Sequence, residues 1–530
     1  MPDDAPVWPS IPALAAATAR RDGNRLAVVD GDTRLTYAEL YDATRSFAGA
    51  LVATGVQPGE RVAIWSFNSA EWIVAAIGLL RAGAVLVPIN TRFKGPEAHD
   101  ILRRSRARVL VTVTDFLGTD YVAMLRDTGE LPDLHTVVVA HGPVLAGTVG
   151  WAEFRDRADQ ASLVTADATA DAIGPDDVSD ILFTSGTTGA PKGVVMTHGR
   201  TLCVATDWVR MTGLSNIDRY LMVNPYFHMF GLKAGILASV AAGATMLPEP
   251  VFEVDRVLTR VAEERVSVLP GPPTLYQSIL DHPDRDRHDL SSLRVAVSGS
   301  ADIPVELIRR IDEELPFSLI VTGYGLTEAG TATSTSSDDD VAAIATTVGR
   351  PRPGFELRIA DTGAGKPSAG EAGEILLRGA SVMSHYLDDP SATAAAMTDD
   401  GWLHTGDIGL IDDAGRLRIV GRSKDMFIVG GFNAYPAEIE NVLLRHPDIQ
   451  HVAVIGVPDE RLGEVGMAFV VRRAGGGAGE ADIIEWSRAQ MANYKAPRFV
   501  EFVDQLPMTA TGKVQKELLR DRARRRQRAL

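Results

Sequence analysis

The chain has 530 residues, 45% of them hydrophobic and 23% charged, with a net charge of −16. One hydrophobic core rarely serves so long a chain, so several packed units are expected and disorder is not. The acidic balance argues against nucleic-acid binding, which rests on neutralising phosphates, and the single cysteine, Cys203, excludes an intramolecular disulfide or a thiolate metal cluster.

The N-terminal MPDDAPVWPS is acidic and proline-bearing, unlike a signal peptide. No run of about 18 or more uncharged apolar residues predicts a membrane span, and a cytoplasmic location is expected. RVAIW at 61–65 reads as a strand, SAEWIVAAIGLLRAG at 69–83 as a buried helix and AVLVPIN at 84–90 as a second strand, which makes one βαβ unit. RVLVTV, HTVVVA and SDILFT continue the pattern and predict an α/β architecture with parallel-rich sheets. LVTADATADAIGP at 163–175 is small, acidic and polar and reads as a surface connection.

TSGTTGAPKG at 184–193 follows directly on an apolar strand. Glycines let successive backbone N–H groups converge on an anion; Thr184, Ser185, Thr187 and Thr188 add hydroxyl donors, and Lys192 adds a charge. The composition suits a polyphosphate. The spacing is not that of a nucleotide-triphosphatase P-loop: Gly186 and Gly189 are three apart, and Lys192 is followed by Gly193 where that class places a hydroxyl. A plain structural turn stays open on this stretch alone. Only eight of the 53 basic residues are lysine, at 94, 192, 233, 366, 424, 495, 513 and 516, so a retained lysine is a candidate for chemistry. Cys203 is read as a buried structural thiol.

Past Arg422 the pattern changes to a turn-rich GGFNAYPAEIENVLLRHPDI, a strand HVAVIGV, a helix DIIEWSRAQM and a strand RFVEFV. This predicts a large domain at 1–422 and a small α+β domain at 423–530. The basic run RDRARRRQRAL at the end reads as a solvated helix end or frayed terminus.

Six stretches together resemble the acyl-adenylate-forming superfamily of acyl-CoA synthetases, adenylation domains and luciferases. They are TSGTTGAPKG, NPYFHMFG at 224–231, GYGLTE at 323–328, GWLHTGD at 401–407, GRSKDMFIVGGFNAYPAEIE at 421–440 and PMTATGKVQK at 507–516. The resemblance implies an acid–thiol ligase using ATP, Mg2+ and coenzyme A. A carboxylate attacks the α-phosphate, pyrophosphate leaves, and a thiol then displaces AMP; catalysis is chiefly positioning and electrostatics. It implies that Thr184 to Gly193, with Gly186, Gly189 and Lys192, hold the β- and γ-phosphates. Tyr324 offers its face to adenine, Thr327 a hydroxyl near the α-phosphate and Glu328 a magnesium ligand. Asp407 and Arg422 contact the ribose, and Lys513 bridges carboxylate and α-phosphate. Lys424 is the hinge about which the small, mobile domain rotates, and Val429, Gly430 and Gly431 line the pantetheine tunnel.

His228 is the implied gate between nucleotide and acyl pockets, the latter lined by Phe227 to Leu232 with Gly231, by Ser298, Gly299 and Ser300 in SGSADI, and by Gly323. The gate lacks the aspartate that pairs an amino-acid ammonium, so a hydrophobic or ring-bearing carboxylic acid is expected. HMFGLKAGILAS, VLPGPPTLYQSILDHP and DLSSLR are similar to the actinobacterial CoA ligases of methylhexahydroindanedione propanoate, a steroid-ring remnant of sterol catabolism. Loading of a carrier protein, adenylation of an aryl acid or of nitrite for diazotisation, and a non-enzymatic binding role stay open as alternatives. So does assembly as a homodimer.

Overall fold

The structure, a computed structural model, describes residues 8–126, 128–184, 191–299, 303, 305–360, 371–422, 425–429, 432–459, 461–509 and 513–527. The βαβ signal is realised as strand Arg61–Trp65, helix Ala70–Arg81 and strand Val85–Pro88, with Arg61 opposite Val85 in parallel register. Ser69 starts the helix by accepting the Trp72 N–H at 3.3 Å. This helix is apolar all round because it is buried nearly all round, between two sheets.

Among the described residues the first sheet has eight strands, in the order His385–Tyr386, Lys192–Thr197, Val178–Thr184, Val85–Pro88, Arg61–Trp65, Ala107–Val113, Thr136–His141 and Val149–Gly150. It is parallel from Val178–Thr184 outward and antiparallel at the other edge, where Val178–Thr184 pairs with Lys192–Thr197. A nine-stranded sheet has a parallel centre that includes Arg219–Met222, Val268–Gly271, Val295–Ser298 and Leu319–Leu326. The two sheets share one core, in which Val62, Leu86 and Val109 meet Tyr220, Val268 and Val295. A four-stranded antiparallel sheet, Phe355–Ile359 to Leu417–Arg422, packs against Val194, Met196 and Ala329. From Phe427 onward the strands belong to a separate five-stranded sheet with its own core, built on Phe427, Ile439, Val454 and Phe469. The α/β class and the separate C-terminal unit agree with expectation. Among the described residues no helix is long and apolar enough to cross a membrane.

Two readings are corrected. Residues Gln160–Ala172 form a helix, not a surface connection; its cap is Asp159, which accepts the Ser162 N–H at 2.7 Å. Its polar composition hid a docking point, for Asp167 pairs with Arg45 at 2.7 Å and Arg81 at 2.6 Å on the helices it covers. Cys203 is exposed. On helix His198–Thr212 the buried phase takes Thr201, Leu202, Val204 and Ala205, which turns Cys203 outward. The basic tail is a helix, Lys516–Gln527, whose arginines pair with acids of their own unit, Arg520 with Asp425 at 2.7 Å and Arg522 with Glu501 at 2.6 Å.

The segment after the aromatic gate is a π-helix, Phe230–Leu237, a form that recurs at functional sites. Within it Lys233 is fully buried, its Nζ 2.9 Å from Asp180 Oδ1 though off hydrogen-bond alignment. Burial pushes the ammonium pKa down and Asp180 partly restores it. Asp180 Oδ2 also accepts the Ser179 hydroxyl at 2.6 Å and that of Thr201 at 2.7 Å. One carboxylate thus ties the strand leading to the phosphate-loop stretch to the helix behind the gate. Removing only the ammonium leaves an uncompensated buried charge, so Lys233→Met is expected to cost about 3–5 kcal/mol. Thermal unfolding checks this: the midpoint falls sharply in Lys233→Met and recovers most of the loss in Lys233→Met/Asp180→Asn.

Candidate functional site

Thr184 ends its strand and Lys192 opens the next, paired across the hairpin with the Thr184 hydroxyl 3.4 Å from the Lys192 carbonyl. Thr184 therefore stands at the carboxyl end of a strand that pairs in parallel with Val85–Pro88, where open α/β sheets bind ligands. Ser185, Gly186, Thr187, Thr188 and Gly189 lie outside the described residues. Arg104, which the sequence reading missed, braces the far side of the turn by donating to the Pro191 carbonyl at 2.6 Å, with its guanidinium 5.1 Å from the Phe183 ring centroid.

Tyr324 and Asp407 come from different sheets and meet: the phenol donates to Asp407 Oδ2 at 2.6 Å, and Asp407 is buried. Arg422 stands opposite Asp407 in the neighbouring strand; its side chain is outside the description. Thr327 follows the end of strand Leu319–Leu326, and Glu328 follows Thr327, both half-buried. Tyr386 donates to Glu328 Oε1 at 2.9 Å, and Lys192 Nζ lies 4.9 Å from the Tyr386 ring centroid. Lys192, Tyr324, Glu328 and Asp407 are thus linked through two tyrosines and one sheet interface. Among the described residues no group of three or more His, Cys, Asp or Glu is placed to hold a metal ion. A lone hard carboxylate fits Mg2+ arriving on its polyphosphate and fits poorly with a resident ion in an all-protein cage.

The gate is held by Asn68, another residue the reading missed. Its side-chain amide donates to the carbonyls of Met222 at 2.9 Å and Asn224 at 3.0 Å, and its oxygen accepts the Tyr226 N–H at 2.8 Å. Phe227 and His228 follow, half-buried. The Phe230 N–H donates to His228 Nδ1 at 3.2 Å, a bond that assigns the neutral ring its proton on Nε2. Burial, then the charge of Lys513, holds the His228 pKa down to about 4. At neutral pH the ring is therefore an uncharged Nε2–H donor.

The pocket glycines act by backbone approach. A Cβ on Gly231 would stand 2.2 Å from the Pro225 carbonyl oxygen and one on Gly323 2.9 Å from that of Thr333. Gly299 lies against the Gly323 carbonyl at the ends of adjacent strands. Ser298 ends the strand Val295–Ser298. Val295 and Val297 face the core shared with Tyr226 and Phe230, Ala296 faces the opposite core, and Ser298 follows Ala296. Its register partner Thr322 confirms that face by donating to the carbonyls of Ile344 and Thr347. Ser298 thus shares the phase of Ala296, and Ser300 lies outside the described residues.

Lys513, in the C-terminal unit, is paired with Thr509, whose N–H donates to the Lys513 carbonyl at 2.7 Å and whose Oγ1 accepts the Lys513 N–H at 3.0 Å. Arg92 of the large unit donates to the Thr509 carbonyl at 3.2 Å, a contact across the sequence that no local pattern signals. Lys424, Gly430 and Gly431 fall outside the described residues.

The AMP-binding enzyme family model matches residues 15–387, and that of the AMP-binding enzyme C-terminal domain residues 438–513. The chain is 49% identical over 514 residues to a 3-[(3aS,4S,7aS)-7a-methyl-1,5-dioxo-octahydro-1H-inden-4-yl]propanoyl:CoA ligase of Rhodococcus jostii, covering 96% of this chain and 98% of that one. It is 50% identical over 513 residues to the ligase of the same name from Mycobacterium tuberculosis, covering 97% and 98%. Among solved structures it superposes on the anthranilate CoA ligase AuaEII in complex with anthranoyl-AMP, with a TM-score of 0.87, 30% identity and coverage of 98% of both chains. ATP-bound MatB from Rhodopseudomonas palustris gives a TM-score of 0.81 at 31% identity over 97% of this chain and 98% of that one.

The influence of Lys513 on His228 is measurable. Because a nearby positive charge disfavours imidazolium, Lys513→Ala is expected to raise the His228 pKa from about 4, followed by NMR of labelled histidine. An unchanged value would remove Lys513 from the neighbourhood of the gate.

Proposed function

The chain belongs to the AMP-binding enzyme family, and from that premise we propose that it joins a steroid-ring propanoate to coenzyme A through an acyl-adenylate. It is an AMP-forming acyl-CoA synthetase that uses ATP, Mg2+ and CoA. The observation that carries the reading is the pairing of Lys192 and Glu328 through Tyr386 and of Tyr324 with Asp407 in the large unit, with Thr509, the partner of Lys513 in the C-terminal unit, bonded to Arg92 of the large one. A site so divided suits a reaction with two steps.

In the first step a carboxylate oxygen attacks the α-phosphorus and pyrophosphate leaves. Lys192 and the turn Thr184 to Gly193 hold the β- and γ-phosphates. Tyr324 and Asp407 receive adenosine. Lys513 sits between the two reacting anions and offsets their repulsion as a compact charge. Glu328 would hold Mg2+, which supplies charge neutralisation on the phosphates. His228, neutral, can donate from Nε2 to an acyl oxygen without placing a second cation beside Lys513. In the second step the thiol attacks the acyl carbon and AMP leaves. That attack requires residues 423–530 first to rotate about Lys424, which withdraws Lys513 and breaks the Arg92–Thr509 contact, and Gly430 and Gly431 line the thiol's path.

The ring propanoate is supported by identity of about half the residues, over nearly the whole length, with two ligases named for it. It is also supported by a gate without acidic residues, Pro225 to Phe230.

Mass spectrometry of products with ATP and Mg2+, with and without CoA, is expected to show AMP and a CoA thioester from the ring propanoate in preference to medium-chain fatty acids, aryl acids, or nitrite with an aryl amine. Adenylate without thioester would move the reading to another acceptor. Lys513→Ala is expected to lower ATP–pyrophosphate exchange about a hundredfold or more yet still convert a supplied acyl-adenylate to thioester. Equal loss in both halves would contradict the two-state role.

A further inference from the structure

Tyr386 lies outside every motif discussed above, yet it touches two of them. It belongs to a two-residue edge strand, His385–Tyr386, antiparallel to the strand that leaves the phosphate-loop turn. The Ser384 N–H donates to the Val195 carbonyl at 2.9 Å and the Leu387 N–H to the Gly193 carbonyl at 2.7 Å. Just upstream, the Met383 N–H donates to the Glu328 carbonyl at 2.6 Å, and the Ser381 hydroxyl to the Ala329 carbonyl at 2.8 Å. The short segment 381–387 is therefore fastened at one end to the Glu328 turn and at the other to the phosphate strand. Its buried tyrosine completes the link, with the phenol on Glu328 Oε1 and the ring face 4.9 Å from the Lys192 ammonium.

We propose that Tyr386 is a positioning residue that fixes the Glu328 carboxylate for the metal ion of a metal–nucleotide complex while seating Lys192 beside it. The phenol donates its hydrogen bond to the carboxylate at 2.9 Å. The bond occupies Oε1 and orients Oε2 for a hard cation. The ring meanwhile carries the ammonium over its face and the carboxylate at its edge, which keeps two opposite charges apart that would neutralise each other as a direct ion pair. Both charges then remain available to the polyphosphate and its metal. This inference rests on the adenylating reading above, which assigns Glu328 to the metal.

Tyr386→Phe keeps the ring and deletes one oxygen. Calorimetric titration of the full chain with ATP in EDTA and with ATP plus Mg2+ separates the roles. The metal-dependent gain in ATP affinity is expected to fall about tenfold in the variant, while metal-free ATP binds as in the wild type and the thermal midpoint holds. In a Glu328→Gln background the same substitution is expected to add nothing, because the carboxylate through which the phenol acts is gone. An undiminished metal-dependent gain overturns the assignment, as does equal weakening of metal-free and metal-bound ATP. Loss of fold in Tyr386→Phe overturns it too, since a phenol that orients a carboxylate is not required for folding. A wild-type protein without any metal-dependent gain contradicts the adenylating reading itself.

Discussion

A chain of net charge −16 that handles a triphosphate must gather positive charge in one place while neutralising its own acids elsewhere, and this constraint orders the site. Arginines take the structural pairings. Arg45 and Arg81 hold Asp167, Arg352 grips Asp207 at 2.8 Å, and Arg104 braces the phosphate turn through a carbonyl. Planar guanidinium forks suit fixed partners of this kind. The lysines at the site are used differently. Lys192 rests on an aromatic face, and Lys513 belongs to a separate unit, its backbone paired with Thr509, both positions from which a point charge can meet an incoming anion. The exception is Lys233, sealed in the core against Asp180. There the charge pair does architectural work, joining the strand that feeds the phosphate turn to the helix that backs the gate.

The motifs were legible in the sequence because each is a contiguous run whose residue types already state a chemistry. GYGLTE and GWLHTGD could be read separately, and folding then brought Tyr324 within 2.6 Å of Asp407. The strands and the buried helix at 61–90 were legible for the same reason, since apolar runs bounded by turns carry their own period. What escaped the reading depends on partners far away along the chain. Asn68 is one polar residue until Met222, Asn224 and Tyr226 close around it, and Tyr386 is one aromatic until its edge strand pairs beside Lys192. Helix Gln160–Ala172 was hidden by Asp and Thr, which favour turns locally and were overruled by an N-cap and by Asp167 docking on two arginines. Cys203 was misjudged through phase: a helix turn aims a side chain one way, and composition alone does not say which.

The gate shows how fold and chemistry meet. Gly231 lets the chain turn back on Pro225 within the reach that a Cβ would block, and the π-helix begins there. The backbone N–H of Phe230 thereby becomes the partner of His228 Nδ1 and sets the tautomer of the ring. Burial and the Lys513 charge keep that ring neutral. Under the proposed rotation of residues 423–530, a cation on that unit and a neutral donor on the other would give the site two electrostatic states, one suited to joining anions and one to admitting a thiol.

The central claim is that a carboxylate oxygen attacks the α-phosphate. Turnover of the ring propanoate labelled with 18O in both carboxylate oxygens, with ATP, Mg2+ and CoA, tests it most directly by mass analysis of the nucleotide product. The account predicts AMP carrying one 18O, because the bridging oxygen of the adenylate stays with phosphorus when the thiol takes the acyl carbon. Unlabelled AMP, or label in orthophosphate formed with ADP, would contradict it.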